Sequence, residues 1–256
     1  MPSYAQHTLH EQDEVRVRLS YYRPGLAMTA HAHDFHQLSF ILAGGMSEQS
    51  LRRDRAISAG EIGVKPAGLD HANLYGRSEQ EGCLILSLNV SDRSAVDLGL
   101  DVADWTWRVG ESMSRQRSMG AYIQALSGPD AAAALHDLVA MQTEARPASN
   151  TMPGWVRTVR DALDDTDEDR ELDAIARSAG VHRVHVSREF SRYMGLPPSL
   201  YRLRRRVSRA IGALMSGEAA AEAAFSAGFS DQAHMSRSIK QMTGFPPRQL
   251  LSRLAA

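Results

Sequence analysis

The chain has 256 residues, 43% of them hydrophobic and 6% aromatic, enough for two ordinary domains that each bury a core. Its formal net charge of −1 hides a division: 13 Lys/Arg against 18 Asp/Glu in residues 1–152, 3 against 8 in 153–173, and 13 against 4 in 174–256. No apolar run approaches the roughly 18 to 20 residues of a membrane span. Met1 to Glu14 lacks the layout of a signal peptide. With Cys83 alone no intrachain disulfide is possible, so the expected setting is a reducing cytoplasm away from membranes.

From about Val15 to Asn89 the pattern is short strands and turns. Val15, Val17 and Leu19 alternate, as do Leu38, Phe40 and Leu42 beside Ile41, and Leu84, Leu86 and Leu88. Gly44-Gly45, Gly60, Gly63, Pro66 and Gly68 interrupt these runs in the manner of a barrel or sandwich. Between about Met113 and Met141 the spacing turns helical, through Met113, Tyr122, Leu126, Leu135, Leu138 and Val139. Gly128-Pro129 separates two helices, with Asp130 fitting a helix start. This helical pair is either a dimer seam or a layer packed on its own barrel. Thr143 to Gly154 reads as a linker.

A helix with Trp155, Val159, Ala162 and Leu163 on one face follows the linker, then an acidic loop running from Asp164 to Asp173. The acidic cluster suits a helix N-terminus and would repel DNA locally. Beyond it one unit occurs twice. Ala179-Gly180, Ser187-Arg188 and Gly195-Leu196-Pro197-Pro198 are matched by Ala227-Gly228, Ser236-Arg237 and Gly244-Phe245-Pro246-Pro247. The glycines Gly180 and Gly228 are 48 apart, whereas Ser187 and Ser236 are 49 apart. Ala176 with Gly180, and Ala224 with Gly228, have the spacing of a helix-turn-helix, whose turn needs φ > 0. The second helices are predicted at about His182–Met194, with Val186, Phe190 and Tyr193 inward, and about Asp231–Met242, with Met235, Ile239 and Met242 inward.

Between the two units, the helix from Pro198 to about Met215 carries Tyr201, Leu203, Val207, Ile211 and Leu214 beside Arg202, Arg204, Arg205, Arg206 and Arg209. A rigid spacer of this length would set two recognition helices into successive major grooves about 34 Å apart. Twelve of the 13 basic residues in 174–256 are Arg, which suits forked bonding to phosphates and guanine edges. The alternative is a merely solvated basic face.

The stretches "LDAIARSAGVHRVHVSREFSRYMGLPPSLYRLRRRVSRAIGALMSG" and "AAFSAGFSDQAHMSRSIKQMTGFPPRQL" resemble the DNA-binding domain of the AraC/XylS family of transcription regulators. The resemblance implies base contacts from Val184, Ser187 and Arg188 and from Gln232, Ala233, Ser236 and Arg237. It implies phosphate contacts from Arg183, His185, Arg192 and Lys240, and the spacer arginines Arg204 and Arg205 are expected to join them. Arg188 and Arg237 would otherwise brace their own units. With roughly 6 to 10 phosphate contacts, affinity would fall roughly 10³- to 10⁵-fold between 50 and 200 mM salt. Ala219 to Ala224 is all Ala apart from Glu222, where the family usually has larger aliphatics. The second unit is therefore expected to be the less stable and to order fully on DNA.

"GLAMTAHAHDFHQLSFILAGG" and "GEIGVKPAGLDHANLY" resemble the two signature stretches of the cupin barrel. His31 and His33 lie two apart on a strand and point to one face, and His71 is placed to join them. Three imidazoles at one point would suit Zn, Fe, Ni or Mn, with Gln37 where metal-binding cupins place Glu. The alternatives are a small-molecule pocket lined by His31, His33, Gln37 and His71, or hydrogen bonds within the barrel. His36 is expected at the second rank or the surface.

The expected fold is α+β in two domains. Residues 1–145 form a cupin-like β-barrel with a helical pair, and 153–256 an all-α domain with helix-turn-helix units at about 171–195 and 218–244. The expected function is a sequence-specific regulator of transcription, not an enzyme. It would bind double-stranded DNA, a small-molecule effector in the barrel, RNA polymerase, and a second copy of itself through residues 113–142. The competing classes are a metal-dependent cupin enzyme tethered to DNA and an architectural DNA-binding protein. The absence of an obvious acid/base pair near the histidines weighs against the enzyme.

Overall fold

The computed structural model describes residues 3–50, 53–76, 79–109, 119–147, 152–164 and 171–255. Met113, the linker centre at 148–151 and most of the acidic loop (165–170) lie outside the described residues.

The alternating runs become an antiparallel β-domain: β1 (Tyr4–Gln12), β2 (Val15–Tyr22), β3 (Ala27–His31), β4 (His36–Ser50), β5 (Arg53–Ser58), β6 (Glu61–Lys65), β7 (His71–Tyr75), β8 (Cys83–Val90), β9 (Thr106–Val109) and β10 (Arg146–Pro147). β4 is the pivot. Its first half pairs with β8 and β6, and its second half with β5 and β7, which also holds β3. The remaining order is β1-β2-β8-β4-β6-β9-β10. A register shift between Ile41 and Ala43 bends β4 from one layer to the other. Both faces of the central strands are covered: Leu84, Leu86 and Leu88 join one core, whereas Cys83 and Ile85 join a second with Ile41, Trp105 and Trp107. Arg146-Pro147, read as linker, instead adds a short strand beside β9.

Helix α1 (Asp92–Leu98) starts on Ser91, whose hydroxyl accepts from the Ser94 amide. Helices α2 (Met119–Ala125) and α3 (Ala131–Glu144) form the expected pair. Ala134, Leu135, Leu138 and Val139 of α3 pack into the barrel core, so its apolar face is used within the chain. That leaves the exposed Ala132, Ala133, His136, Asp137 and Ala140 outward.

The C-terminal helices are α4 (Gly154–Asp164), α5 (Leu172–Ser178), α6 (Arg183–Met194), α7 (Pro198–Met215), α8 (Ala220–Ser226), α9 (Gln232–Thr243) and α10 (Pro247–Leu254). Each helix-turn-helix closes on a glycine in the left-handed region, Gly180 at φ 69° and Gly228 at φ 82°. α4 buries Val156, Val159 and Leu163, with Trp155 and Ala162 packed less deeply. Val186 and Phe190 anchor α6 and Met235 and Ile239 anchor α9, all fully buried.

The two units differ in what holds them. The first has its own core, built from α4, α5, α6, Leu196 and Tyr201. The second shares one with the barrel: Ala223, Ala224, Phe229, Met235, Ile239 and Leu250 belong to the same buried cluster as Leu19, Leu86, Ile123 and Leu138. The small side chains of α8 were expected to leave this unit short of buried area. The barrel and α2 supply that area instead. Gln124 of α2 donates to the Gly244 carbonyl at 2.6 Å, and Arg253 of α10 lies 2.7 Å from His7 of β1.

Candidate functional site

Helices α6 and α9 both begin on a side-chain cap. The His182 ring accepts from the Val184 amide at the start of α6, and Asp231 accepts from the His234 amide at 2.6 Å at the start of α9. These caps leave the first turns open to solvent. On α6, Arg183, Val184, Arg188 and Arg192 are exposed, and His185 and Ser187 half-buried beside them. On α9, Gln232, Ala233, Arg237 and Lys240 are exposed and Ser236 is half-buried. The opposite sides carry the buried anchors, so each helix turns one mixed polar and cationic face outward. Within that face Arg188 Nε donates to Glu189 at 3.2 Å and Arg183 donates to Asp173 at 3.5 Å. These are exposed pairs that a phosphate or base edge can replace at little cost.

The expectation for Arg204 and Arg205 is corrected. Both are 3% exposed, enclosed where α7 lies against the barrel, and neither reaches a phosphate in this arrangement. Arg205 donates from Nε to Glu81 at 2.7 Å, from a terminal nitrogen to Glu81 again, and from the other to Asp164 at 2.5 Å. Glu81, fully buried, sits in the turn before β8, and Asp164 ends α4, where it also accepts from Tyr201 at 2.7 Å. Arg204 donates to the Ile41 carbonyl, and burial lowers its pKa to about 10. One turn on, Ser208 donates to the Gly82 carbonyl at 2.8 Å. Gly44 faces this same point at φ 75°, where any Cβ would collide with the Gly82 carbonyl and Ser208. α7 is thus a spacer between the two units and also the surface by which the barrel holds them. Arg209 donates to the Ala227 carbonyl in the turn of the second unit, a bracing role.

In the barrel the three predicted histidines do converge. His31 and His71 are direct partners in the β3–β7 ladder, with ring centroids 4.4 Å apart, and His33 completes a group whose ring nitrogens lie within 4.8 Å of one another. Gln37 does not complete the set, because its amide donates to Asn89 at 3.1 Å. His36 is buried and acts as a strut, with Nδ1 accepting from the Ala67 amide and Nε2 2.6 Å from Asp92. The sequence reading missed Glu48 and Lys65. Glu48 is fully buried and accepts from Trp105 and Trp107 at 2.8 Å each and from Lys65 and Asn73 at 2.9 Å each. Lys65, 6% exposed, also places its ammonium 3.3 Å from His71 Nε2.

The donor set suits a divalent metal. Nδ1 of His31 and of His71 faces the Thr29 and Leu69 carbonyls at 2.8 and 3.0 Å, which leaves each Nε2 as the inward lone pair. Burial, and then the Lys65 charge, lower His33 and His71 to about 4, so both are neutral at pH 7. The charge around the donors does not suit a metal. A fixed ammonium already occupies the His71 lone pair, and the carboxylate that might offset a cation is bonded to Lys65.

Burial alone would raise Glu48, but the Lys65 charge and the donors around it hold its pKa at about 2, below the ordinary 4.5. A carboxyl depressed in this way stabilises the fold fully above pH 4.5 and loses that contribution as pH falls toward 2, about 3 kcal/mol in all. Glu81, raised by burial, offsets part of the loss. The melting temperature should therefore drop steeply between pH 4.5 and 3, and Glu48→Gln should flatten that acid limb. An unchanged acid profile in the variant would contradict this assignment.

A helix-turn-helix domain family model matches residues 175–253, spanning both units and the spacer. No curated protein matches the chain. Among solved structures, ToxT from Vibrio cholerae is 13% identical, covering 95% of this chain and 100% of that one at a TM-score of 0.39. A cupin superfamily protein from Desulfitobacterium hafniense is 19% identical, covering 35% and 78% at 0.31. KdgF from Halomonas sp. is 15% identical, covering 37% and 86% at 0.32. The matched segment, the duplicated fold and its exposed cationic helix faces make residues 175–253 of this chain a helix-turn-helix domain, joined to an antiparallel β-domain.

Proposed function

We propose that this chain is a sequence-specific regulator of transcription that binds double-stranded DNA through α6 and α9 and responds to a small molecule held in the cupin-like barrel. The observation that carries the reading is the pair of capped helices turning Val184, Ser187 and Arg188, and Gln232, Ala233, Ser236 and Arg237, toward solvent while every large apolar side chain on α9 and all but Val184 on α6 is wholly or partly packed. Exposed arginines beside short polar side chains suit base edges, with Arg183, His185, Arg192 and Lys240 flanking them for phosphates. The barrel grips α7 directly, which supports a coupling in which an effector that prefers one docking of α7 shifts how the two helices are presented. This function belongs to the cytoplasm, with RNA polymerase as a further partner. A homodimer would use the outward side of α3, and sedimentation that finds only monomer would remove it.

Selection of bound duplexes from a random pool, with and without candidate metabolites, tests the reading. Enriched sequences with two half-sites about one helical turn apart are expected. No enrichment over scrambled competitor would overturn it. Arg188→Ala should relax specificity at one base pair, costing about 1–3 kcal/mol on the preferred duplex and little on others. Equal losses on specific and nonspecific duplexes would return Arg188 to a bracing role.

A further inference from the structure

The three-histidine cluster has a neighbour that determines what it can hold. Lys65 ends β6 and reaches into the barrel, nearly excluded from solvent, with Glu48 on one side of its ammonium at 2.9 Å and His71 Nε2 on the other at 3.3 Å. Glu48 cannot turn toward the histidines without giving up the Trp105 and Trp107 indoles, which fix its other oxygen. A divalent ion arriving among His31, His33 and His71 would meet a positive charge already bonded to one of its three ligands. In a medium of reduced dielectric that repulsion is several times stronger than in water.

We propose that Lys65 is the specificity-determining residue of this cluster, an internal ammonium that takes the place of a metal ion at His71 and keeps the barrel free for a ligand other than a divalent cation. The cluster is the barrel site assigned to the effector above, so the inference deepens that reading. Metal affinity, however, is measured without DNA, and its outcome is separate from that of the duplex selection.

The experiment is calorimetric titration of the full chain with zinc, repeated with cobalt to read tetrahedral coordination from its visible absorption. Three proteins are compared: unmodified, Lys65→Met, and Lys65→Met with Glu48→Gln. The double variant removes both charges of the buried pair, and so guards against misfolding of the single one. Affinity should rise at least about tenfold in the double variant and further in Lys65→Met, where Glu48 keeps its charge beside the site. Adding His31→Ala to either should abolish the gain. Tight stoichiometric zinc binding by the unmodified chain, affinity unchanged in both variants, or a gain that survives His31→Ala would each overturn the assignment.

Discussion

Arg205→Ala should lower the stability of the chain by about 3–5 kcal/mol, because it leaves the fully buried Glu81 carboxylate without its cation. For a chain of this size the melting temperature should fall by roughly 10 °C, as read by circular dichroism. The loss has two parts. Arg205 neutralises Glu81 of the barrel, and it fastens Asp164 at the end of α4, so one side chain joins the barrel, the spacer and the first unit's core. Replacing both partners with apolar residues, Arg205→Met with Glu81→Leu, should recover most of the stability, since a buried ion pair contributes little beyond what its removal costs. It should not recover the alignment that the three-way contact imposes, so DNA affinity should stay reduced while melting returns toward that of the unmodified chain. A loss below about 1 kcal/mol for Arg205→Ala would mean that α7 does not dock on the barrel in solution.

The helix-turn-helix pair could be read from the residues because its signals are local. Gly180 and Gly228 take the positive φ that their spacing requires, and Val186, Phe190, Met235 and Ile239 lie inward as the helical period predicts. The barrel histidines were legible from a local spacing too, although only His31 of the first two lies on β3: His33 follows just past the strand's end, and His71 pairs with His31 from the strand beside it. The junction was not, because its terms lie far apart in the chain: Arg205 and Glu81 are 124 residues distant. A fainter signal was present. Tyr201, Arg204, Arg205, Ser208 and Ile211 form a single i, i+3, i+4, i+7, i+10 stripe on α7, and polar residues inside such a stripe mark a buried polar contact. Trp105 and Trp107, two apart, likewise announced one face with two indole donors to satisfy, but nothing nearby pointed to Glu48 as their acceptor. The weakness expected of the Ala-rich α8 followed from treating the second unit as self-contained, whereas its core runs on into the barrel.

The burial of Arg204 and Arg205 changes the expected salt dependence of DNA binding. With both enclosed, the cations that the proposed function leaves for phosphates on α6 and α9 are Arg183, Arg192 and Lys240, with Arg188 and Arg237 assigned to bases. Roughly three to five phosphate contacts give a slope of log affinity against log salt near −3 to −4.5, or a loss of roughly 10²-fold between 50 and 200 mM. That is well short of the roughly 10³- to 10⁵-fold that 6 to 10 contacts would produce. Fluorescence anisotropy on a selected duplex over that range measures the slope directly. Arg192→Ala should make it shallower by about 1, as loss of one phosphate contact requires. Arg204→Met should leave it unchanged, because a side chain bonded to the Ile41 carbonyl inside the junction releases no counterion from DNA. A slope steeper than about −6 that Arg204→Met makes shallower would show that α7 leaves the barrel when the chain engages its operator. The docked arrangement would then be the DNA-free state, and the effector would act by choosing between the two.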